Sequence, residues 1–464
     1  MNRREFLKFA GAASLAAAFP VRSAFAGAQP HVVVVGGGVG GATFAKYLKM
    51  ADKNIKVTLI EKNPVYIRPY GSSEVLTGHI QMKDLDVTYD ALKSRYGVEM
   101  LIDTVVGFDP DKKTVSTAGG KSLSYDRLIV SPGIELKYEA VEGYSEAIAN
   151  TKIPSGWIPG AQTQLLADQI KSIPKGGTFL LVAPPNPYRC PPGPYERAAL
   201  VTEWFQKHNP TAKVLILDPK DAFVTDTTMQ QGWNRLYGYK MPKSFEEKFV
   251  EELRKFKVFS EQEGVDALYA KGILKRNSGP SMISWVTGKE GGRVLKIDAA
   301  NMTVEAENGV HKADVINIVP PMVAGTIAQK MGLTDKSGWC PIKRESFEST
   351  VHKDVHVLGD SSIADAMPKS GFSANTQAKV AALAVAASLK GQQPGIPSWE
   401  NTCYALAGSD YGFFVADVFA LKEGKITNVS GHRYLPLNAS EAQIRLGAVY
   451  QQAWMKSFTD DCFA

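Results

Sequence analysis

Cys190 lies in a loop that is crowded with prolines, in the run APPNPYRCPPGPYE at residues 183–196. Proline fixes the backbone φ angle, so six prolines around one cysteine hold its sulfur in a narrow range of positions. The loop leads into a helical segment, and the partial positive charge of a helix N-terminus lowers the pKa of a thiol. The sequence therefore predicts a thiol that is both held in place and reactive.

Cys340 also stands beside a proline, in the run GWCP at residues 338–341. If the two loops meet, Cys190 and Cys340 form a redox disulfide next to a cofactor; the alternative is a structural crosslink between domains. The other two cysteines, Cys403 and Cys462, form either a disulfide that pins the C-terminal tail or two free thiols. Sequence spacing does not choose among these pairings.

A glycine-rich loop between a β-branched strand and a helical stretch fits the G-x-G-x-x-G pattern of dinucleotide binding. Its three pattern positions are Gly36, Gly38 and Gly41. Glycine allows the backbone to approach a pyrophosphate, and the helix N-terminus faces the negative charge. The next strand ends on Glu61, which is followed by Lys62. We expect both residues at the cofactor, with the Glu61 carboxylate on a ribose hydroxyl.

The dipeptide Gly359-Asp360 ends a late strand that begins at Val355. Flavoproteins with two dinucleotide folds use such an aspartate on the ribityl chain, which requires the first fold to return late in the chain. A strand-end turn is the alternative interpretation of this dipeptide. Combined with the glycine loop near the N-terminus, it favours FAD as the cofactor.

The middle of the chain repeats the βαβ pattern without its phosphate loop. A strand is predicted at 178–182, a helix at 195–208 and a strand at 213–218 that ends on an acid. The proline-rich loop replaces the glycines, and proline offers no N–H to a phosphate. We therefore expect the scaffold of a nicotinamide domain without the nicotinamide site, and an electron partner other than NADH.

Five motifs in the chain are VVVVGGGVGGATFAKYLK, RCPPGPYERA, GWCP, FESTVHKDVHVLGD and MPKSGFSANTQAKVAA. Together they resemble the flavoprotein subunit of flavocytochrome c sulfide dehydrogenase. The pair RCPPGPYERA and MPKSG is typical of that family and, at greater distance, of sulfide:quinone oxidoreductases. The resemblance runs from about Gln29 to the segment around Cys403 and is patchier beyond it.

The resemblance implies a three-domain fold like that of glutathione reductase, FAD, and a Cys190–Cys340 disulfide beside the flavin. It implies a sulfide–cytochrome c oxidoreductase in which hydrosulfide attacks the disulfide, leaving a persulfide and a thiolate, and FAD takes two electrons. The usual acceptor is a c-type cytochrome, as a subunit or as soluble cytochrome c. The chain has no C-x-x-C-H motif, so the haem must belong to another protein.

Two charged residues near the motifs are further candidates. Glu196 follows the cysteine loop and is placed to handle the proton of hydrogen sulfide; a solvated acid in the first helical turn is the alternative. Lys369, in MPKSG, is placed to face the pyrimidine edge of the flavin; the alternative is a surface lysine. No metal site is expected, because His352 and His356 flank a strand.

The chain departs from the family in the segment after Glu61. The family commonly holds FAD through a thioether from a cysteine here, whereas this chain has Pro69 at that position. Proline has no nucleophile. We therefore expect FAD to be bound non-covalently.

We expect an α/β fold with two Rossmann-like βαβ domains, as in glutathione reductase, and a C-terminal α+β interface domain. The expected order is a signal peptide, the FAD domain interrupted by the second Rossmann-like domain, and a partner-docking domain. The segments in that order are 1–26, 27–150, 151–298, 299–390 and 391–464.

The first 26 residues predict export by the twin-arginine route, because Arg3-Arg4 precedes a short apolar run and a small-residue cleavage site. They hold four basic residues and one acidic residue, so a net +3 of the formal +6 remains for the mature chain. Such a weak charge argues against a nucleic-acid or membrane-surface protein. We expect a periplasmic protein without a transmembrane segment.

Two rival functions remain open at the level of sequence. A sulfide:quinone oxidoreductase needs membrane contact, but the apolar residues at 444–458 are accompanied by few basic ones. That pattern suits docking or core packing better than a helix that lies on a membrane. An accessory flavoprotein that activates a sulfur-oxidising partner by thiol–disulfide exchange is the second rival.

Overall fold

The computed structural model describes residues 29–431 and 433–464, so the predicted export signal at 1–26 lies outside the described residues. The strands are β1 His31–Val35, β2 Lys56–Glu61, β3 Tyr66–Ile67, β4 Asp86–Val87, β5 Glu99–Ile102, β6 Val105–Asp109, β7 Thr114–Thr117, β8 Ser122–Ser124, β9 Arg127–Val130, β10 Ile134–Leu136, β11 Thr178–Val182, β12 Lys213–Leu217, β13 Ile283–Val286, β14 Val294–Asp298, β15 Thr303–Ala306, β16 Gly309–Lys312, β17 Val315–Ile318, β18 Met322–Ala324, β19 Val355–Val357, β20 Ser398–Gly408, β21 Tyr411–Lys422, β22 Lys425–Asn428 and β23 Arg433–Tyr434. The α-helices are α1 Val39–Ala51, α2 Ser72–Thr77, α3 Asp90–Ser94, α4 Glu146–Ala149, α5 Ala161–Lys171, α6 Gly193–His208, α7 Asp226–Tyr237, α8 Lys243–Lys255, α9 Val265–Ala270, α10 Thr326–Lys330, α11 Gly371–Leu389 and α12 Glu441–Phe463.

The first domain is built on a parallel five-stranded sheet in the order β19-β9-β1-β2-β5. The valines at 32–35 of β1 are buried, as a β-branched run inside a two-sided parallel sheet must be. Strand β19 pairs with β9 although 224 residues separate Val130 from Val355. The late return of the chain to the first sheet, predicted from the dipeptide Gly359-Asp360, is therefore confirmed.

The second domain has a parallel sheet in the order β13-β12-β11-β17. Strand β17 pairs with β11 over residues 315–318, so this domain extends beyond the boundary that we placed at residue 298. The boundary was placed too early because β17 follows the small antiparallel sheet β14-β15-β16, whose strands have the pattern of a new domain. The predicted α/β class with two Rossmann-like sheets is confirmed.

The C-terminal part packs a long antiparallel hairpin, β20 and β21, against helix α12. Helix α12 ends at Phe463, five residues beyond the apolar pattern that the sequence showed. Lys46 of α1, a buried lysine, connects the last turn of α12 to the first domain. Its ammonium donates hydrogen bonds to the carbonyls of Asp460, Asp461 and Ala464 at 3.1, 3.0 and 2.6 Å. This contact fixes the helix that closes one side of the site described below.

Within the described ranges, we find no helix that combines the length and the apolar character needed to cross a bilayer.

Replacing Lys46 with Met should lower the free energy of unfolding by about 2–4 kcal/mol, because three hydrogen bonds from a buried charged group are lost. Urea denaturation followed by tryptophan fluorescence measures the change. The matched control is Lys53→Met, on an exposed lysine just after the same helix. Equal free energies of unfolding for the two variants would show that the hydrogen bonds of Lys46 do not contribute to stability.

Candidate functional site

One cavity of about 1180 Å³ lies between the three parts of the chain. It is larger than the ~300–1,000 Å³ of a typical small-molecule pocket, as a dinucleotide requires. The glycine loop and Glu61 lie at one end, and Cys190 and Glu196 line the same cavity. The predicted cofactor loop and the predicted reactive thiol therefore share one space.

The glycines of the loop are required for two different reasons: close packing of the protein backbone, and access of the cavity to the backbone. A Cβ on Gly36, whose φ is +98°, would lie 2.4 Å from the carbonyl oxygen of Ser131. A Cβ on Gly41 would lie 1.9 Å from the carbonyl oxygen of Gly36. Both positions need glycine so that helix α1 and strand β9 can pack against the loop.

Gly38 differs, because the nearest described atom to a Cβ there is a Tyr66 ring carbon at 3.6 Å. Its missing side chain instead leaves the backbone open to the cavity, as phosphate binding needs. Glu61 accepts a hydrogen bond from the Gly37 N–H at 2.7 Å and lines the cavity. Lys62 is exposed at the same end.

Asp360 provides the test of whether FAD suits this cavity. It sits in a 3₁₀ turn, Gly359–Ser361, that follows β19, and it lines the cavity. Its Oδ1 is buried and has no hydrogen-bond partner within the described chain. Burial raises the pKa of the carboxyl, and the charges of Arg189 and Lys369 oppose that rise. A ribityl hydroxyl is the donor that this oxygen lacks, so the residues present fit FAD.

Cys190 is exposed to the cavity from a left-handed backbone conformation, with φ of +61°. Its N–H donates to the carbonyl of Lys369 at 2.8 Å, and its carbonyl accepts from Gly193 at 2.9 Å. Such conformations are costly for residues other than glycine and are frequent at functional sites. Two backbone hydrogen bonds thus hold the thiol where the proline loop predicted it.

The predicted lowering of the Cys190 pKa is wrong. Helix α6 begins at Gly193, but burial raises the pKa of the thiol, and the nearby charges of Glu196 and Cys403 raise it further. Although the residue is open to the cavity, protein atoms surround the sulfur, and this partial loss of solvent outweighs the helix dipole. The sequence could not indicate how closely other segments would surround this thiol.

Cys340 is fully buried, and its N–H donates to the Ser361 carbonyl at 2.9 Å. Burial raises the pKa of its thiol to about 12, and the positive charge of Lys369 opposes the rise. All four cysteines are free thiols, so the predicted Cys190–Cys340 disulfide is not formed in the structure. Lys369 interacts with both cysteines: its carbonyl accepts the hydrogen bond from the Cys190 N–H, and the positive charge of its ammonium acts to lower the pKa of Cys340.

The Lys369 ammonium is held by protein groups beside the cavity. It donates to the carbonyls of Asp360, which lines the cavity, and Ser362 at 2.7 and 3.0 Å, and it lies 3.7 Å from the centre of the Trp339 ring. Lys369 itself is not among the described residues that line the cavity. Burial lowers its pKa to about 8. The ammonium is therefore not that of a free surface lysine, and the predicted contact with the flavin stays a prediction.

Glu196 lies in the first turn of α6, as predicted, and it is part of the cavity wall. Its Oε1 accepts a hydrogen bond from the Leu406 N–H at 2.8 Å. Burial raises its pKa to about 8, and the charge of Glu74 adds to the rise while Leu406 and Arg197 oppose it. A carboxyl with this pKa exchanges protons near neutral pH, which a solvated acid does not.

The acid that would bind a nicotinamide ribose is occupied by protein groups. Asp218, at the end of β12, is fully buried and accepts from the Tyr195 hydroxyl at 2.5 Å, Trp285 Nε1 at 3.0 Å and Lys220 Nζ at 2.7 Å. Phe223 stacks on Tyr195 with 3.4 Å between ring centres. These side chains fill the space beside the acid, which agrees with the predicted loss of the nicotinamide site.

Two features of the cavity were missed at the level of sequence. The first is Cys403 on β20, which lines the cavity, whereas Cys462 is buried and accepts a hydrogen bond from Asn375. The second is a wall of contacting aromatic rings from four separate segments. Its members are Tyr70, Phe372, Tyr404, Trp454 and Phe458. The spacing of Trp454 and Phe458 by four residues was the only available signal of this wall.

Three family models match the chain. The model of the pyridine nucleotide-disulphide oxidoreductases matches residues 30–155. Two models of flavocytochrome c sulfide dehydrogenase match as well, the central part of its flavoprotein chain at residues 163–267 and its flavin-binding part at residues 396–463. The fold, the cavity and these matches indicate an FAD-dependent flavoprotein similar to the pyridine nucleotide-disulphide oxidoreductases. Within that class, two separate parts of the chain match the models of the flavocytochrome c sulfide dehydrogenase flavoprotein chain.

Relatives and solved structures agree with this class. The chain is 24% identical over 335 residues to the mitochondrial sulfide:quinone oxidoreductase of Mus musculus, which covers 71% of this chain and 65% of the relative. It is 34% identical over 116 residues to the sulfide-quinone reductase of Aquifex aeolicus (strain VF5), covering 25% and 27% of the two chains. The solved sulfide:quinone oxidoreductase of Aquifex aeolicus has the same fold, with a TM-score of 0.65, 17% identity and coverage of 93% and 92%.

Replacing Gly38 with Ala should weaken FAD binding by tenfold or more and leave the fold intact. The added Cβ meets protein only at 3.6 Å, so it intrudes on the cofactor's approach to the backbone instead. Flavin fluorescence titration of the apoprotein measures the affinity, and circular dichroism checks the fold. Gly264→Ala is the matched control, because no described atom lies within 4 Å of a Cβ there. FAD affinity equal to that control would contradict the assignment of the loop.

Proposed function

We propose that the chain is an exported FAD enzyme that oxidises sulfide and passes the electrons to a c-type cytochrome. The observation that carries the proposal is the position of Cys190: an exposed thiol on the wall of the same cavity that the dinucleotide loop lines. The matches to the flavocytochrome c sulfide dehydrogenase flavoprotein chain support the same chemistry. The predicted signal at 1–26 supports a periplasmic location.

The proposed substrate step uses Cys190 and Cys340 as a redox pair. In the oxidised enzyme they form a disulfide; hydrosulfide attacks the sulfur of Cys190, the S–S bond breaks, and a Cys190 persulfide and a Cys340 thiolate result. Lys369 supports this step, because its ammonium lies where a thiolate on Cys340 is stabilised by its charge. FAD, when bound, supplies the acceptor for the two electrons of the pair.

The proposed role of Glu196 is to accept the proton of hydrogen sulfide as the nucleophile forms. The carboxyl lines the cavity with Cys190 and is held by the Leu406 N–H. A base with a pKa near the working pH is the efficient choice for this task. FAD itself is proposed to be held without a covalent bond, with Pro69 on the cavity wall.

The acceptor is the part of the proposal with a specific rival. The relatives from Mus musculus and Aquifex aeolicus are named for quinone, and the aromatic wall offers an apolar surface beside the cavity. The cytochrome is favoured by the family matches and by helix α12, whose outer face exposes Leu446, Val449 and Tyr450 with few basic residues around them. A protein partner fits this face better than an anionic lipid surface.

Cys190→Ser and Cys340→Ser should each abolish the reduction of bound FAD by sulfide, by at least a hundredfold in rate, and leave FAD bound. Anaerobic stopped-flow absorbance at the flavin band measures the rate. Cys462→Ser, in a cysteine outside the cavity, is the control and should react like the unmodified protein. Unchanged rates in the first two variants would mean that the pair has no redox role.

In the same instrument NADH should leave the flavin oxidised, because protein groups occupy Asp218.

Steady-state sulfide oxidation with cytochrome c, with a short-chain quinone and without an acceptor separates the three functions. The proposal expects turnover that depends on cytochrome c. Turnover only with the quinone favours the sulfide:quinone oxidoreductase, and no turnover with either favours the accessory flavoprotein.

Glu196→Gln should remove a pH dependence of stability. Burial raises the pKa of Glu196 from 4.5 to about 8, so the folded protein binds more protons than the unfolded chain between these values. The free energy of unfolding therefore falls as pH rises through this window, and the glutamine variant lacks that part of the slope. Urea denaturation of the FAD-loaded protein between pH 5 and 9 (about one unit apart) measures it.

The matched control for this prediction is Glu139→Gln, at an exposed glutamate, which should keep the slope of the unmodified protein. If the Glu196→Gln protein keeps that slope as well, the carboxyl is not desolvated in solution and its proposed role as a base near neutral pH is lost.

A further inference from the structure

Cys403 is a thiol of the cavity wall that the proposed function leaves unused. Of the four cysteines, Cys190 and Cys403 line the cavity, whereas Cys340 and Cys462 are buried and are not among its lining residues. We propose that Cys403 is a second reactive thiol that receives the sulfane sulfur from a persulfide on Cys190. This inference rests on the proposed function, because it assumes that Cys190 carries sulfur.

The thiol of Cys403 is held by a polar cluster at the start of helix α11. Its sulfur lies 3.5 Å from Oδ1 of the buried Asn401, and the Ser370 hydroxyl donates to the same oxygen at 2.6 Å. Ser370 is also the N-cap of the 19-residue α11, accepting from the Ser373 N–H at 3.0 Å. The positive end of a long helix stabilises a thiolate or a persulfide anion beside it.

Cys190, Cys403 and Glu196 form one electrostatic group. The charge of Cys403 raises the pKa of Cys190, and the charge of Glu196 raises the pKa of both thiols. All three groups line the same cavity, so their charges act on one another across it. Burial keeps Cys403 protonated at rest, with a pKa of about 11, so its reaction needs a proton acceptor nearby. Glu196 is that acceptor.

The transfer conserves atoms and electrons without a further reactant. The sulfur of Cys403 attacks the outer sulfur of the Cys190 persulfide, a new S–S bond forms on Cys403, and the original S–S bond breaks. The thiol proton of Cys403 passes through Glu196 to the departing sulfur of Cys190. The products are a Cys190 thiol and a Cys403 persulfide: the Cys190 sulfur is reduced by the same amount as the Cys403 sulfur is oxidised, so the transfer needs no external oxidant. Cys190 is then free to form its disulfide with Cys340 again, a step that releases two electrons, for which bound FAD would be the acceptor.

The transfer is testable without sulfide turnover, because inorganic polysulfide already carries sulfane sulfur. The FAD-loaded protein is treated anaerobically with one equivalent of polysulfide, quenched at intervals with an alkylating reagent, and digested. Mass spectrometry then reports which cysteine-containing peptide carries one extra sulfur. We expect the label on Cys190 first and on Cys403 later. In the Cys190→Ser protein the Cys403 label should fall at least tenfold, and in Cys403→Ser the label should stay on Cys190.

Equal labelling of Cys403 in the presence and absence of Cys190 would overturn the relay, and so would a persistent label on Cys190 in the unmodified protein. The Cys462→Ser protein is the control and should label like the unmodified one. Retained flavin absorbance verifies that each variant is folded, and Cys403→Ala repeats the test with a side chain that cannot hydrogen bond. If the label moves to Cys403 but sulfide never reduces the flavin, the relay stands and the proposed function fails. If sulfide reduces the flavin but the label never moves to Cys403, the proposed function stands and the relay fails.

Discussion

The hydrogen bond from the Cys190 N–H to the Lys369 carbonyl joins the two halves of the site. Cys190 belongs to the second βαβ domain, and Lys369 precedes helix α11 of the first. The same lysine places its ammonium on the carbonyls of Asp360 and Ser362 and near Cys340. One residue therefore sets the separation between the exposed thiol, the buried thiol and the turn that fits FAD. The rest of the site depends on this short contact between domains.

Desolvation is the common electrostatic property of the site. Burial raises the pKa of Cys190, of Cys340 and of Glu196, and it lowers the pKa of Lys369. Each shift favours the neutral form, as expected where protein replaces water around an ionisable group. A site of this kind has few free charges at rest, and those that form during reaction interact strongly with one another. Neighbouring groups therefore influence one another's protonation strongly, which is the setting that thiol chemistry in this cavity needs.

The second domain shows how a fold is kept while its ligand site is lost. The βαβ scaffold remains, with β11 and β12 paired in parallel as in a nucleotide domain. The acid at the end of β12 now accepts three hydrogen bonds from protein side chains, and a proline-rich loop stands where glycines would approach a phosphate. The loop has been turned to another use, since it carries Cys190 into the cavity of the first domain. Function in this part of the chain follows from the site and not from the fold.

The sequence by itself determined the local elements and the cofactor end of the cavity. Strand β1, the glycine loop and helix α1 follow from short-range rules of periodicity and spacing, and the need for glycine at Gly41 comes from its near neighbour Gly36. It also identified the cysteines and Glu196 as the residues with chemistry to offer. Only the tertiary structure decided which of them meet. Cys403 and the aromatic wall reach the cavity through segments that lie far apart in the chain, and the Lys369 ammonium donates to the carbonyls of Asp360 and Ser362. The direction of the Cys190 pKa also needed the fold, because desolvation is set by all the atoms that surround a group, whereas a helix dipole can be read from the few residues beside it.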